Sequence, residues 1–490
     1  MTAVDLRLVP AALTSWAVTA GGILWFQAGA VAMVVGAVAL TAGAGWWAAR
    51  RSAGGLDRRA LTTGVLAVTL VGIGFAVAVT VRVSEVQSHP VTGYFGSITS
   101  VTVMPSETPR VLEGGRTMIR GSLLMLDGVE SSGDVVVFAS GSDYSMLTAG
   151  QPAAFRAQVG RPKRRDLSIA VLSATGEAVQ GEAAPIHRAA HHLRARFADS
   201  ARLVLPAAEA AMLPALVLGD TSAVAAETTA DFRASGLSHL TAVSGANVTI
   251  VCGAVLMSAL LIGPRAAVGL AALTLVAFVV VVQPSPSVLR AAVMGAITLL
   301  AVLSHRRRQA LPALAGTVIA LMIGAPQLAV DVGFALSASA TAALVLVAPV
   351  WSRRLTGRGW PKPLADAASV ALAAQLVTAP LVAGVSGSVS LVAVAANLAV
   401  APVIAPITVI GTAAAALSAL WPAGAELLIR FTGPEVWWLL GVARWAADMP
   451  AASVPVPSGV AGVVAVAVAA VVIGAVWHWA VSARRDTIDR

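Results

Sequence analysis

Apolar runs of span length alternate with short Arg and Lys clusters along most of this chain, and one stretch of about 100 residues breaks that rhythm. Residues 10–49 are apolar throughout, with Gly21-Gly22 and Gln27-Ala28-Gly29 inside, which predicts two spans folded as a hairpin at about 20 residues each. A third span is expected from about residue 60 to 83. From 84 to about 185 the period changes. The segments 98–104, 116–128, 134–140, 153–160 and 167–174 are β-branched or alternating and are separated by Gly, Pro, Asp and Ser. About five short strands in that length predict a small barrel of the oligonucleotide/oligosaccharide-binding (OB) type.

Helical spacing returns at 186–205, where Ile186, Ala190, Leu193, Phe197 and Val204 recur opposite His187, Arg188, His191, Arg194 and Arg196. This predicts a helix lying in the membrane interface. A short helix at 207–219 follows, stopped by Gly219, and Asp220, Thr221 and Ser222 are placed to cap another that ends at Gly236. Further spans are expected at about 239–262, 266–282, 288–304, 311–328, 332–350 and 365–384. The segment 390–420 holds Asn397, Pro402 and Pro406 and no charge. Counting sides of the membrane requires both its ends to lie outside, which a re-entrant or broken helix satisfies, as do two ordinary helices with a different boundary. Residues 424–449, with Arg430, Arg444 and several Trp, read as another interfacial helix, and 459–481 as the last span.

The expected fold is therefore a polytopic α-helical membrane protein, with about ten transmembrane helices plus re-entrant and interfacial helices, carrying a small all-β, OB-like extracytoplasmic domain. Its expected divisions are 1–83, three N-terminal spans; 84–185, the β domain; 186–238, interfacial amphipathic helices; and 239–490, a membrane channel domain. Composition agrees. The 490 residues are 57% hydrophobic and only 12% charged, against about 25% charged in a soluble protein. The net charge of +9 comes largely from clusters between apolar runs, Arg50-Arg51 with Arg58-Arg59, His305-Arg306-Arg307-Arg308, Arg353-Arg354 and Arg484-Arg485 among them. The positive-inside rule places these loops and both termini in the cytoplasm, the β domain outside, and the chain in the cytoplasmic membrane. Net charge alone thus says little about a ligand. One Cys, Cys252, excludes an internal disulfide and a paired-cysteine metal site.

The stretch 231–250, DFRASGLSHLTAVSGANVTI, is too polar for a lipid-facing helix. Its Ser235, Ser238, His239, Thr241, Ser244, Asn247 and Thr249 are expected to line a protein interior or a water-filled path. Ser244 with His239 has neither contact spacing on a helix nor a nucleophile elbow around it, so a catalytic role is not expected. His187 and His191 lie four apart on one face, but no carboxylate or Cys accompanies them at ligand spacing, so no metal is expected. Arg290 at the outer end of a span is placed either to snorkel to the interface or to meet a phosphate. In the β domain, Arg156, Arg161, Lys163, Arg164 and Arg165 form a basic cluster among the sparse aromatics Tyr94, Phe95, Phe138, Tyr144 and Phe155. That combination suits a single strand of nucleic acid, or simply a solvated loop. No phosphate-cradling GxxxxGK[ST] loop is present, so any nucleotide-driven motor is expected to be separate.

The string LGDTSAVAAETTADFRASGLSHLTAVSGANV resembles the signature of the ComEC family, the inner-membrane channel proteins of bacterial DNA uptake. So do PSVLRAAVMG (286–295), DVGFALSASAT (331–341), AAQLVTAPL (373–381) and LVAVAANLAVAPVIAP (391–406), in the family's order. The resemblance implies passage of single-stranded DNA across the cytoplasmic membrane, with membrane lipid, a separate DNA receptor, a nuclease and a cytoplasmic motor as partners, and no cofactor. It carries over Asp220, Phe232, Gly236, His239, Ser244 and Gly245, then Arg290 and Met294, then Gly333, Phe334 and Ser337, and finally Thr378, Pro380, Asn397 and Pro402. Two departures stand out. Where the family has SGLHV, this chain has Ser244-Gly245-Ala246-Asn247-Val248, and Asn247 cannot carry the charge of a histidine. Many relatives carry a metallo-β-lactamase-like nuclease domain, and these residues hold no H-x-H-x-D-H string of that kind, so another protein is expected to degrade the second strand. The alternatives are a transporter of another anionic or hydrophobic substrate on the same fold, and a membrane-embedded hydrolase centred on His239 and Ser244.

Overall fold

The structure is a computed structural model that describes residues 5–51, 58–112, 114–241, 243–258, 262–304 and 309–472. The 305–308 basic cluster, the end of the last expected span and Arg484-Arg485 lie outside the described residues. In chain order the elements are α1 (Val9–Arg51), α2 (Arg58–Gln87), β1 (Ile98–Pro105), β2 (Arg110–Val111), β3 (Arg116–Leu126), β4 (Val129–Ser140), α3 (Ser142–Ser145), β5 (Ala153–Gly160) and β6 (Ala170–Gln180). Next come α4 (Pro185–Val204), α5 (Ala207–Leu218), α6 (Ala226–Ala234), α7 (Gly245–Ser258), α8 (Pro264–Val282), α9 (Pro286–Leu303) and α10 (Ala310–Gly324). The chain closes with α11 (Val332–Leu346), α12 (Ala348–Thr356), α13 (Lys362–Ser386), β7 (Ser388–Ser390), α14 (Ala393–Leu417), α15 (Pro422–Ala447), β8 (Ser453–Pro455) and α16 (Val460–Val472). Among the described residues, seven helices are long and apolar enough to cross a membrane, formed by α1, α2, α8, α9, α11 with α12, α13 and α14. The protein is a multi-pass membrane protein. Two compact units divide it, Met1–Arg196 with Val248–Ala335, and Phe197–Asn247 with Leu336–Arg490.

In the first unit, α1 reverses at Trp25 and Phe26, where Phe26 has φ 55°. The two arms then run so close that a methyl on Gly29 would sit 2.1 Å from the Gly21 carbonyl oxygen. This is the expected hairpin, and glycine on both arms is what permits the approach. Trp16 on the first arm packs edge-on against Phe334, with ring centroids 5.1 Å apart, and its indole N–H donates to the Ala329 carbonyl at 2.9 Å.

The β region closes into a barrel. The strands are hydrogen-bonded in the order β1-β5-β6-β4-β3, and β3 returns to β1; β4 and β6 are parallel and the other neighbours antiparallel. Alternation produces the core: Val101, Val103, Ile119, Leu123, Val135, Val137, Phe155, Ala157, Val159 and Leu172 all point inward. Tyr144 of α3 plugs one end, edge-on to Phe155 at 5.5 Å with its hydroxyl donating to the Gly176 carbonyl. The five expected strands are present with shifted ends. β4 starts at Val129 rather than 134, β6 runs on to Gln180, and the two-residue β2 carries no pattern long enough to read.

The helix α4 corrects one face assignment. Arg194, placed on the polar side by periodicity, is 7% exposed, while Ile186 is 56% exposed. The buried guanidinium donates to the Val281 carbonyl at 3.1 Å, satisfying a free carbonyl at the C-terminal end of α8.

In the second unit, one of the two readings of 390–420 is corrected. The helix α14 continues through Pro402 and Pro406, so it is neither broken nor re-entrant. The helix α15, expected at 424–449, spans Pro422–Ala447. It runs antiparallel beside α14, burying Ile429, Val436, Leu439 and Leu440, with the Trp438 indole donating to the Ala399 carbonyl at 3.0 Å. The strands β7 and β8 pair, so the start of α14 and the end of α15 lie at the same end of the unit.

Candidate functional site

The polar stretch around residues 231–247 is not a continuous span. The helix α6 ends at Ala234, a single 3-10 turn covers Ser238–Leu240, and α7 begins only at Gly245, so His239 lies before the helix rather than in it. Phe232 is buried at 1% exposure, and its carbonyl accepts from the hydroxyls of Ser235 and Ser238 at 3.4 and 3.2 Å. Together with the Leu237 N–H, which donates to the same carbonyl at 2.8 Å, these bonds close the end of α6. Gly236 then turns the chain at φ 74°, and a methyl there would lie 2.4 Å from the Ala393 Cβ at the start of α14. Both facts require glycine at that position.

Beyond the turn, the Ser244 hydroxyl donates to the Asn247 side-chain oxygen at 3.2 Å, and the Asn247 amide donates to the Leu216 carbonyl at 3.0 Å. Asn247 thus serves the C-terminal end of α5, where Leu216 is among the last carbonyls. With Leu240, Ile404, Ile407 and Thr408 these groups enclose a cavity of about 10 Å³, at the lower limit for a single water. The Ser244 hydroxyl donates to the Asn247 amide oxygen rather than to His239. Asp220 sits in the turn after α5 and accepts from the Ser222 hydroxyl at 2.6 Å. Leu216 and Thr408 carry no motif and were legible only once α5 and α14 were packed together.

The remaining positions of this unit are plainer. Thr378 and Asn397 each bond back into their own helix, to Ala374 and Ala393 at 2.8 Å. Pro380 lies inside α13 and Pro402 is exposed on α14. Ser337, in α11, offers its carbonyl to Thr341.

The first unit holds the other motif blocks. Arg290 is 6% exposed in the second turn of α9, with Met294 one turn on and 4.0 Å from its Nη1. Asp331 caps α11 by accepting from the Phe334 N–H at 2.8 Å, and Phe334 is fully buried against Trp16. Gly333 faces the start of α9, where a methyl would lie 4.0 Å from Pro286 Cγ. The connection between α8 and α9 is bent at Gln283, with φ 72° and ψ 148°. A residue with a side chain pays about 1–3 kcal/mol to stay in such a region. Its Oε1 accepts from the Thr108 N–H and hydroxyl at 2.9 and 3.1 Å.

On the barrel, Arg156 and Gln158 alternate outward along β5, and Arg161 follows. The Arg161 guanidinium lies over the Phe95 ring at 5.5 Å, beside a recess of about 330 Å³ lined by Gln158, Gly160 and Ser173. Lys163 and Arg164 are exposed, whereas Arg165 donates to the Leu24 carbonyl in the α1 turn. A second pairing was missed by sequence: Arg116 of β3 lies over Phe138 of β4 at 5.3 Å. The two residues are 22 positions apart, so only strand register brings them together.

A family model described as Competence protein matches residues 216–481, more than half of the chain. No curated protein and no solved structure matches significantly.

Proposed function

From the premise that the chain belongs to the competence protein family, we propose that it conducts single-stranded DNA across the cytoplasmic membrane during DNA uptake. The family match over 216–481 carries this reading. The chemistry of the matched helices supports it: a polyanion needs a path with few acidic groups, and α7, α8, α9, α10 and α14 contain no Asp or Glu while α9 buries Arg290. Arg290 would meet phosphate as the strand passes, since guanidinium matches phosphate oxygens in a planar fork. About ten spans, both termini in the cytoplasm and the barrel outside complete the arrangement.

We read the barrel as an OB-type module. Five strands that close with one parallel pair support it, as do the basic 161–165 loop between β5 and β6 and the Arg116–Phe138 pair on the β3–β4 face. Arginine held over an aromatic ring is a ready platform for an unpaired base. Arg156, Arg161, Lys163 and Arg164 would follow the backbone, with Arg165 kept for the α1 turn. A receptor, a nuclease and a motor are then separate proteins.

Transformation of the parent organism tests the reading. Deleting the gene, or restoring it with Arg290→Ala, should abolish transformation while DNA still binds the cell surface. Normal transformation in the deletion strain would sink it and favour another anionic substrate. With the purified full chain, Arg116→Ala and Arg161→Ala should weaken binding of a labelled single strand, with affinity falling as salt rises.

A further inference from the structure

Gln283 occupies a backbone conformation that glycine adopts freely and glutamine does not. What glutamine offers there and glycine lacks is the side-chain amide, and its oxygen takes two donors from one residue of the barrel, Thr108. The barrel end of this grip is stiff. The Ser106 N–H and hydroxyl both donate to the Arg120 carbonyl, at 2.9 and 3.1 Å, and Glu107 is paired with Arg110 at 3.2 Å and with Arg120 at 3.8 Å. Pro109 restricts Thr108 to an extended backbone. Two residues before Gln283, the buried Arg194 of α4 holds the Val281 carbonyl. The elbow is therefore fixed from two directions, and Pro284 and Pro286 stiffen what lies between it and α9.

We propose that Gln283 is a positioning residue for Arg290: by joining the barrel to the elbow before α9, it sets the rotation at which that helix presents its guanidinium. The proposal rests on the reading of Arg290 as the group that meets DNA phosphate. The helix begins at Pro286, the Ser285 hydroxyl caps it by accepting from the Val288 N–H at 3.3 Å, and Arg290 follows within the second turn. A shift of one residue at the elbow turns a helix by about 100°, enough to carry Arg290 off its path. Thr108 lies 175 residues from Gln283 in sequence, so whatever displaces the β1–β2 loop is felt at Arg290.

The test uses the full chain with Cys252→Ala and a reporter cysteine, Ser287→Cys, labelled in cells by a membrane-impermeant maleimide. Gln283→Gly should change the labelling rate by about tenfold, the consequence of losing one or two neutral hydrogen bonds. It should lower transformation toward the level of Arg290→Ala. Its melting temperature in detergent should hold or rise, because strain is removed. Gln283→Glu keeps an acceptor oxygen and should stay near the parent in both readouts. Thr108→Ala removes one donor and should move both readouts less, in the same direction, which keeps the test alive if the glycine variant misfolds. Unchanged labelling in Gln283→Gly and Thr108→Ala overturns the proposal. So does changed labelling with full transformation in a strain where Arg290→Ala abolishes it. Transformation that survives Arg290→Ala sinks the DNA reading instead, and labelling then still decides whether Gln283 sets the station of α9.

Discussion

The barrel and the stretch from Phe232 to Asn247 are held together by opposite means. The barrel alternates inward apolar and outward polar residues on every strand, and its interior is a continuous packed core. The Phe232–Asn247 stretch is made of the end of α6, one 3-10 turn and the start of α7, with no single element running through it. It is held by a glycine pressed onto α14, serine hydroxyls bonded to one carbonyl, and an asparagine serving the end of α5. The first arrangement spreads its stability over many side chains, each replaceable by one of similar volume. The second concentrates it in a few atoms, an absent Cβ, two hydroxyls and a side-chain N–H, that an apolar side chain of similar size cannot supply. Several polar groups of this stretch are thus engaged in closing the backbone at helix ends.

That contrast predicts the largest effect at Gly236. Gly236→Val forces a β-branched residue into the left-handed region and drives its side chain into Ala393, costing about 3–5 kcal/mol. The expected outcome is loss of folded protein from the membrane fraction. A variant that accumulates and melts like the parent would break the claim that this stretch depends on single atoms.

Leu172→Ala is the matching test in the barrel. Leu172 is fully buried on β6, and its truncation should cost about 3 kcal/mol. Hydrogen exchange should quicken across β6 and its neighbours β4 and β5, while Leu172→Met stays close to the parent. If the methionine variant is as damaged as the alanine one, the barrel is less tolerant than the comparison holds.

Asn247 sharpens the comparison. Asn247→Ala leaves the Leu216 carbonyl without its donor and should cost about 1–2 kcal/mol. Asn247→His still has a ring N–H to donate and should recover most of the loss. Read by melting in detergent, an alanine variant as stable as the parent would show that the α5 carbonyl needs no partner.

The parts legible in the sequence were those written in local periodicity. The strands 98–104 and 153–160 could be placed almost to the residue because Val101, Val103, Phe155 and Val159 alternate with polar neighbours. The helix α15 was placed to within two residues, but the face it packs on α14 is set by long-range contact that no local pattern shows. Arg194 was put on the wrong face for a related reason: its burial depends on a carbonyl 87 residues away. The motif residues Gly236, Ser244 and Asn247 stood out as polar or small within apolar surroundings, but their partners Ala393, Leu216 and Thr408 are ordinary residues with no signature. Gln283 is the extreme case. Its two donors lie 175 residues off, and nothing local distinguishes it from any polar loop residue.

The smallest effect is expected at the outer edge of the motif stretch, on Asp231. Partial burial on α6 and the nearby carboxylates of Glu227 and Asp448 raise its pKa above the ordinary 3.8, and Arg444 of α15 opposes them. A carboxyl raised by the fold is favoured there in its protonated form. Its contribution to stability is complete below the unfolded pKa and is lost as pH rises through the higher folded value. At neutral pH the ionised group is therefore a mild burden on the packing of α6. Asp231→Asn removes that charge, so the variant should melt slightly above the parent at pH 7, and the difference should shrink as pH falls toward 4. A gain that stays constant with pH would mean the substitution acts through shape or hydrogen bonding. A loss at pH 7 would mean that Arg444 outweighs the two carboxylates, and that this corner of the stretch is held by an ion pair after all.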